Sequence, residues 1–82
     1  MITTITLKGD NWNNLKHARY YFLDAQVVKN FSNGYLLIFG NRNNAHKCMN
    51  QARKSMIKDG YSIEYKRYNH ILINGCKAEI NL

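Results

Sequence analysis

The sequence predicts an α+β fold in which an antiparallel sheet is covered by two helices on one face. Two features indicate this: apolar residues recur at helical spacing in two segments, and short alternating stretches lie between them, bounded by glycine and asparagine. The predicted order is β-α-β-β-α-β followed by a C-terminal β-hairpin extension. This order suits a ferredoxin-like split βαβ sheet, and an α+β sheet of different strand order is the alternative. Because 82 residues leave room for one core, residues 1–82 are expected to form a single domain.

The N-terminal segment is predicted to form a strand and then a helix. Residues 2–8 alternate apolar and polar side chains, which is typical of a half-buried strand. Asp10 is a candidate N-cap for a helix over residues 11–23. The apolar stripe of this helix consists of Trp12, Leu15, Ala18 and Phe22. The last five residues of the segment, 19–23, also have high strand propensity.

A hairpin is predicted next. Residues 27–31 and 35–39 are rich in apolar side chains and flank Asn33 and Gly34. Asn-Gly between apolar runs is a strong hairpin signal, because both central residues of a type I′ turn require positive φ. The second strand is apolar on both faces. If both helices cover one face of the sheet, an apolar patch stays exposed on the other, and such patches usually mark interfaces.

A long basic helix is predicted over residues 42–59. Its apolar stripe consists of Ala45, Cys48, Met49, Ala52 and Met56. The basic side chains between these positions are His46, Lys47, Arg53, Lys54 and Lys58. Gly60 follows at the position that a helix C-cap prefers. This helix therefore has one face suited to a core and another that is strongly positive.

The C-terminal part is predicted to form a fourth strand and a second hairpin. Residues 61–66 alternate apolar and polar side chains, and Asn74-Gly75 supplies the hairpin turn. A two-residue loop pairs Ile73 with Cys76 and Ile71 with Ala78 on one face, and Leu72 with Lys77 and His70 with Glu79 on the other. The apolar pairs fall on the same face, so this register is self-consistent.

The charge of the chain points to an anionic partner. Twelve Lys and Arg against five Asp and Glu give a net charge of +7. A charge of this size on a small protein favours nucleic acid, an anionic membrane or an acidic protein surface. The twelve asparagines and the absence of proline indicate an AT-rich coding sequence. Many bacteriophage genomes have such a composition, which suggests a viral origin.

Catalysis, cofactors and metals are not expected. The five acids are spread along the chain without an acid–base pair, and no serine lies in a nucleophile elbow. The glycines are isolated and form no phosphate-binding loop. The sequence has no C-x-x-C or H-x-x-x-H spacing that would suit a metal ion. We therefore predict a binding protein that is not an enzyme.

A cytoplasmic location and no membrane partner are expected. No signal peptide is evident, and no apolar stretch reaches the roughly 18–20 residues that span a bilayer. Cys48 and Cys76 fall at predicted core positions, so both are interpreted as small apolar residues in a reducing compartment.

The predicted function is contact with nucleic-acid phosphates, DNA or RNA, through lysine and arginine side chains. The candidate binding residues are Arg42, Lys47, Lys54 and Lys58 of the basic helix, with Lys66 and Arg67, and with Tyr65 and Tyr68 as stacking platforms. Their cations would neutralise phosphates without reading sequence. An RNA-recognition motif is not indicated, because the third strand lacks the basic residue and the second aromatic of that signature.

The alternative is a small inhibitor or adaptor that binds a protein. On this hypothesis the basic surface docks on the acidic surface of a host nucleic-acid enzyme or defence system, and the chain is phage-encoded. The apolar strand that begins at Tyr35 and ends at Phe39 supports this interpretation, and the same strand is a candidate interface for a homodimer.

Overall fold

The computed structural model describes residues 2–23, 25–67 and 69–81. Within these residues the chain forms two helices and one six-stranded antiparallel sheet, which confirms the predicted α+β class. In chain order the elements are β1 (Thr3–Gly9), α1 (Trp12–Arg19), β2 (Val27–Phe31), β3 (Gly34–Phe39), α2 (Arg42–Lys58), β4 (Glu64–Arg67), β5 (His70–Ile73) and β6 (Cys76–Asn81).

The strand order across the sheet is β2-β3-β1-β6-β5-β4. The predicted ferredoxin-like arrangement with a C-terminal hairpin extension is not confirmed, because β6 pairs with β1 and β4 lies at the far edge. The reason lies in the side chains. In β6 buried residues alternate with more exposed ones, whereas all four residues of β4 are exposed and three of them are charged. A short charged strand is suited to the edge of a sheet.

The core lies between one face of the sheet and both helices. Ile5 and Leu7 of β1 are fully buried, flanked by residues of β3 and β6 that point the same way. These neighbours are Leu37 and Tyr35 on one side and Ile80 and Ala78 on the other. The apolar stripes of α1 and α2 join the same core, so the helices cover this face. The opposite face of the sheet, called here the open sheet face, has no helix among the described residues.

Helix α1 is shorter than predicted. It ends at Arg19 rather than at position 23, and its N-cap is Asn11, so the prediction of Asp10 as the cap was wrong. The Asn11 Oδ1 accepts hydrogen bonds from the backbone N–H groups of residues 13 and 14, at 2.9 and 3.1 Å. The chain then leaves the helix through turns, yet Phe22 still packs in the core. The predicted apolar stripe therefore extends beyond the helix that it was used to define.

Helix α2 matches its prediction closely. It begins after the N-cap Asn41, whose Oδ1 accepts a 2.8 Å hydrogen bond from the backbone N–H of Asn44. All five residues of the predicted apolar stripe are buried. Gly60 has a φ of +94°, and the following N–H of Tyr61 bonds back to the Met56 carbonyl at 2.9 Å. This geometry ends α2 at the position that Gly60 indicated in the sequence.

The two hairpins differ in how well the sequence predicted them. The register of β5 and β6 is the predicted one throughout, and Gly75 has the positive φ of its turn. The prediction of a type I′ turn at Asn33-Gly34 was wrong, because neither residue has a positive φ. Gly34 is instead part of β3, where it pairs with Phe31. Gly34 has another role: a Cβ there would collide with the Leu7 backbone oxygen. The glycine permits the close approach of β1 and β3.

Candidate nucleic-acid interface

Three predicted lysines share one solvent-facing side of α2. Lys47, Lys54 and Lys58 are all exposed, and we call this group the α2 ridge. Steps of seven and eleven residues return to nearly the same side of an α-helix, so the three side chains are aligned. They lie opposite the buried stripe and extend over about 16 Å at 1.5 Å per residue. The structure therefore brings together three of the four cations predicted on this helix.

The α2 ridge is not neutralised by the part of the chain that is described. None of its three ammonium groups lies within 4.0 Å of a carboxylate of residues 2–23, 25–67 or 69–81. Asp59 follows the ridge, but its Oδ2 accepts a 2.5 Å hydrogen bond from the Tyr21 hydroxyl. This hydrogen bond raises the pKa of Tyr21 to about 12, because ionisation would lose the bond and place a second negative charge beside Asp59.

Arg42 stands apart from the α2 ridge. It is the first residue of the helix and is exposed, and the five-residue step to Lys47 places it about 140° away around the helix axis. Arg53 lies on this same flank, where its guanidinium sits 5.8 Å from the centre of the Tyr65 ring. One face of Tyr65 is therefore covered by a cation, although 57% of the residue remains exposed. This contact between α2 and the edge strand β4 was not predicted from the sequence.

The other predicted cations lie on β4, at the edge of the sheet. Lys66 is exposed but forms an ion pair of 2.9 Å with Glu64. Arg67 pairs with His70 after a bulge, which places it on the open sheet face, away from the helices. Tyr68, the second predicted stacking residue, lies outside the described residues. The predicted site residues are thus divided between the helix layer and the opposite side of the sheet.

The open sheet face carries an apolar patch on β3 and lysines on three other strands. Strand β3 buries Tyr35, Leu37 and Phe39 and turns Leu36 and Ile38 outward, where they are half-buried. Around them lie three lysines that were not among the predicted site residues: Lys8, Lys29 and Lys77. Only the strand order shows that these belong to one surface, since they come from three different strands.

A further basic pocket lies beside α1. Its volume is about 380 Å³, and it is lined by Lys16, Arg19, Tyr20, Asn30 and Tyr35. The Arg19 guanidinium lies 6.0 Å from the centre of the Tyr35 ring, and that ring stacks on Trp12 at 5.3 Å. These contacts fix the aromatic floor of the pocket. The lysine and arginine here also lie in the last turn of α1, where cations complement the helix dipole.

The described residues contain no cluster of three or more His, Cys, Asp or Glu side chains that could hold a metal ion. Among them, neither helix combines the length and the apolar character required to cross a bilayer. Searches with this sequence and structure matched no protein-family model, no curated protein and no solved structure. The fold and the surface charges are therefore the basis for a functional proposal.

Proposed function

We propose that this chain is a small, non-enzymatic binding protein that contacts nucleic-acid phosphates through the α2 ridge. The observation that supports it most directly is the alignment of Lys47, Lys54 and Lys58 on one exposed side of α2. A net charge of +7 adds long-range attraction for a polyanion.

The length of the ridge suits a nucleic-acid backbone. Duplex DNA places one phosphate per strand about every 3.4 Å along its axis, so the ridge of about 16 Å faces about five phosphates of one strand. Lysine ammonium groups on flexible stems contact phosphates as point charges. Because such contacts do not read base edges, the proposed binding is independent of sequence.

The ridge can be tested by replacing all three lysines together. We expect Lys47→Gln/Lys54→Gln/Lys58→Gln to weaken binding to a fluorescein-labelled duplex by about tenfold or more at low salt, because three phosphate contacts are lost. The matched control is Lys47→Arg/Lys54→Arg/Lys58→Arg, which keeps the charge and should stay within about threefold of the wild type. Equal affinities for the glutamine variant and the wild type would refute the role of the ridge.

A second candidate function is that of an inhibitor or adaptor that binds an acidic protein, encoded by a phage and directed at a host nucleic-acid enzyme or defence system. The half-buried Leu36 and Ile38, bordered by lysines on the open sheet face, favour it. The same residues would form the interface of a homodimer through β3. A pull-down from nuclease-treated bacterial lysate, compared with the variant Leu36→Asp, separates this function from phosphate binding. Recovery of one protein that the variant fails to retain would favour it.

A reducing location such as the cytoplasm fits the proposal. Cys48 on α2 and Cys76 on β6 are both buried thiols in the core. Burial raises the pKa of the Cys76 thiol, because the thiolate would lose its hydration there. We therefore interpret both cysteines as small core residues.

A further inference from the structure

Two lysines of the open sheet face are direct cross-strand neighbours. Lys8 of β1 and Lys77 of β6 are paired in the antiparallel register, and both are exposed. Paired residues of this kind have Cβ atoms about 5 Å apart, and like charges placed so are unfavourable. Within the described residues neither ammonium group has a carboxylate within 4.0 Å. The pair therefore creates a local positive charge that has no ion-pair partner among the described residues.

The lysine pair borders a groove. This groove has a volume of about 520 Å³ and lies at the end of the sheet where both hairpin turns project. Its lining includes Lys8 and Lys77, the side of Leu72, and Asn33 and Gly75 from the two turns. Asp10 also lines the groove, so the lining contains one carboxylate and two ammonium groups. The groove therefore combines a positive edge with an apolar wall.

An aromatic ring lies in the same row of the sheet. Phe31 of β2 pairs with Gly34 of β3, and Gly34 pairs with Lys8. Because Gly34 has no side chain, no side chain lies between the Phe31 ring and the aliphatic part of Lys8 in this row. Phe31 is 37% exposed. Across the sheet this row presents, in order, a ring, two ammonium groups and the side chain of Leu72, and it ends at Glu64 on the edge strand β4.

Internal contacts occupy part of the open sheet face. The Asn81 side-chain amide donates hydrogen bonds to the hydroxyls of Thr4 and Thr6, at 2.9 and 2.7 Å. Lys66 is held by Glu64 at the far edge. The row from Phe31 to Lys77 lies outside these contacts.

We infer that this row binds single-stranded nucleic acid, with a phosphate between Lys8 and Lys77 and a base on the Phe31 ring. The inference rests on the proposed function and adds to it a second surface and a class of nucleic acid. A single strand exposes both its phosphates and the faces of its bases, which match the cations and the ring of this row. In a duplex the base faces are stacked on one another, so only the phosphates can contact this row.

Charge favours a polyanion over a second copy of the chain on this face. The described residues of the open sheet face include five cations: Lys8, Lys29, Lys66, Arg67 and Lys77. Its described carboxylates are Glu64 and Glu79, and the first is already paired with Lys66. Two copies docked face to face would bring these cations together, which is electrostatically unfavourable.

We propose to test the inference with two double variants. Each removes two positive charges, one from the open sheet face and the other from the α2 ridge. Fluorescence anisotropy is measured with a thymidine oligonucleotide and with a duplex of equal length. We expect Lys8→Gln/Lys77→Gln to weaken single-strand binding by about tenfold at low salt and to reduce its salt slope by about 1.4, while duplex binding changes by less than about threefold. The variant Lys54→Gln/Lys58→Gln should show the larger loss with the duplex.

The failures of the two proposals are distinguishable. If the wild type binds both probes but Lys8→Gln/Lys77→Gln leaves single-strand binding unchanged, or weakens both probes equally, the groove is not the single-strand site and the α2 ridge is unaffected. If neither polymer binds, thymidine 5′-monophosphate is titrated into the isotope-labelled protein. Chemical-shift changes confined to the amides of Lys8, Leu72 and Lys77 would then support the groove alone, and their absence would overturn it.

Discussion

The Tyr21 hydroxyl and the Asp59 carboxylate are joined by a hydrogen bond of 2.5 Å. The bond links the segment after α1 to the C-terminal end of α2, and Tyr21 also meets Tyr61 edge-on at 5.4 Å. It engages Asp59, the residue that directly follows the last lysine of the α2 ridge. A single contact therefore serves both the packing of the helix layer and the charge of the proposed interface.

This hydrogen bond predicts a loss of stability at high pH. The bond raises the pKa of Tyr21 from 10.0 to about 12, so its stabilising effect is complete below pH 10 and is lost as the pH rises through about 12. Urea unfolding of the wild type should show this loss, whereas Tyr21→Phe should be less stable at neutral pH and less sensitive across that range. Tyr20→Phe, at a residue that is 67% exposed, is the control. Parallel pH profiles for Tyr21→Phe and the wild type would contradict the assignment.

Two adjacent leucines of β3 test which face of the sheet is covered. Leu37 is fully buried under the helices, whereas Leu36 lies half-buried on the open sheet face. We expect Leu37→Ala to lower the free energy of unfolding by about 3 kcal/mol, since it leaves a cavity. Leu36→Ala should cost less than about 1.5 kcal/mol, because its environment is already partly water. Equal losses in chemical denaturation would mean that both faces are covered.

The close contact at Gly34 predicts a steric effect of a single methyl group. Gly34→Ala forces a Cβ against the Leu7 carbonyl, so β1 and β3 must separate, at a cost of about 2 kcal/mol or more. At Gly40 an added Cβ would meet only the Gln26 amide, at 3.6 Å, which is ordinary contact. Gly40→Ala is therefore the matched control and should remain close to the wild type. Thermal unfolding of both variants measures this difference. Equal melting temperatures for Gly34→Ala and Gly40→Ala would argue against the close approach of Gly34 to the Leu7 carbonyl.

The N-cap of α1 can be assigned by mutation. Asn11→Ala removes the acceptor for two backbone N–H groups and should cost about 1 kcal/mol. Asp10→Ala should cost much less, since no side-chain hydrogen bond of Asp10 is seen among the described residues. Guanidinium unfolding of both variants compares the two positions. A larger loss at Asp10 would restore the assignment made from sequence.

Local patterns explain which parts of the fold were predictable. Helix α2 and the β5–β6 register follow from spacings within a few residues, and both agree with the structure. The turn at Asn33-Gly34 was misread because Gly34 serves a contact with Leu7, which is distant in sequence. The strand order was not predictable for a related reason: β6 has the apolar face that β1 requires, and β4 does not, but this pairing joins distant parts of the chain.

The candidate site was likewise predictable only where local spacing determines it. The alignment of Lys47, Lys54 and Lys58 follows from helical spacing alone, so the sequence was sufficient to predict it. The pairing of Lys8 with Lys77 depends on β6 lying beside β1, and no local pattern contains that information. The contact of Arg53 with Tyr65 similarly depends on where β4 lies relative to α2.

The central claim is that exposed lysines of this chain neutralise nucleic-acid phosphates. The most direct test is the dependence of duplex affinity on salt, measured by anisotropy for the wild type and for Lys47→Gln/Lys54→Gln/Lys58→Gln. With about 0.9 per phosphate contact, the logarithm of the wild-type binding constant should fall with the logarithm of salt concentration with a slope of about −2.7 or steeper, and the variant should lose about 2.7 of that slope. No detectable binding by the wild type at low salt, or an unchanged slope in the variant, would contradict the claim.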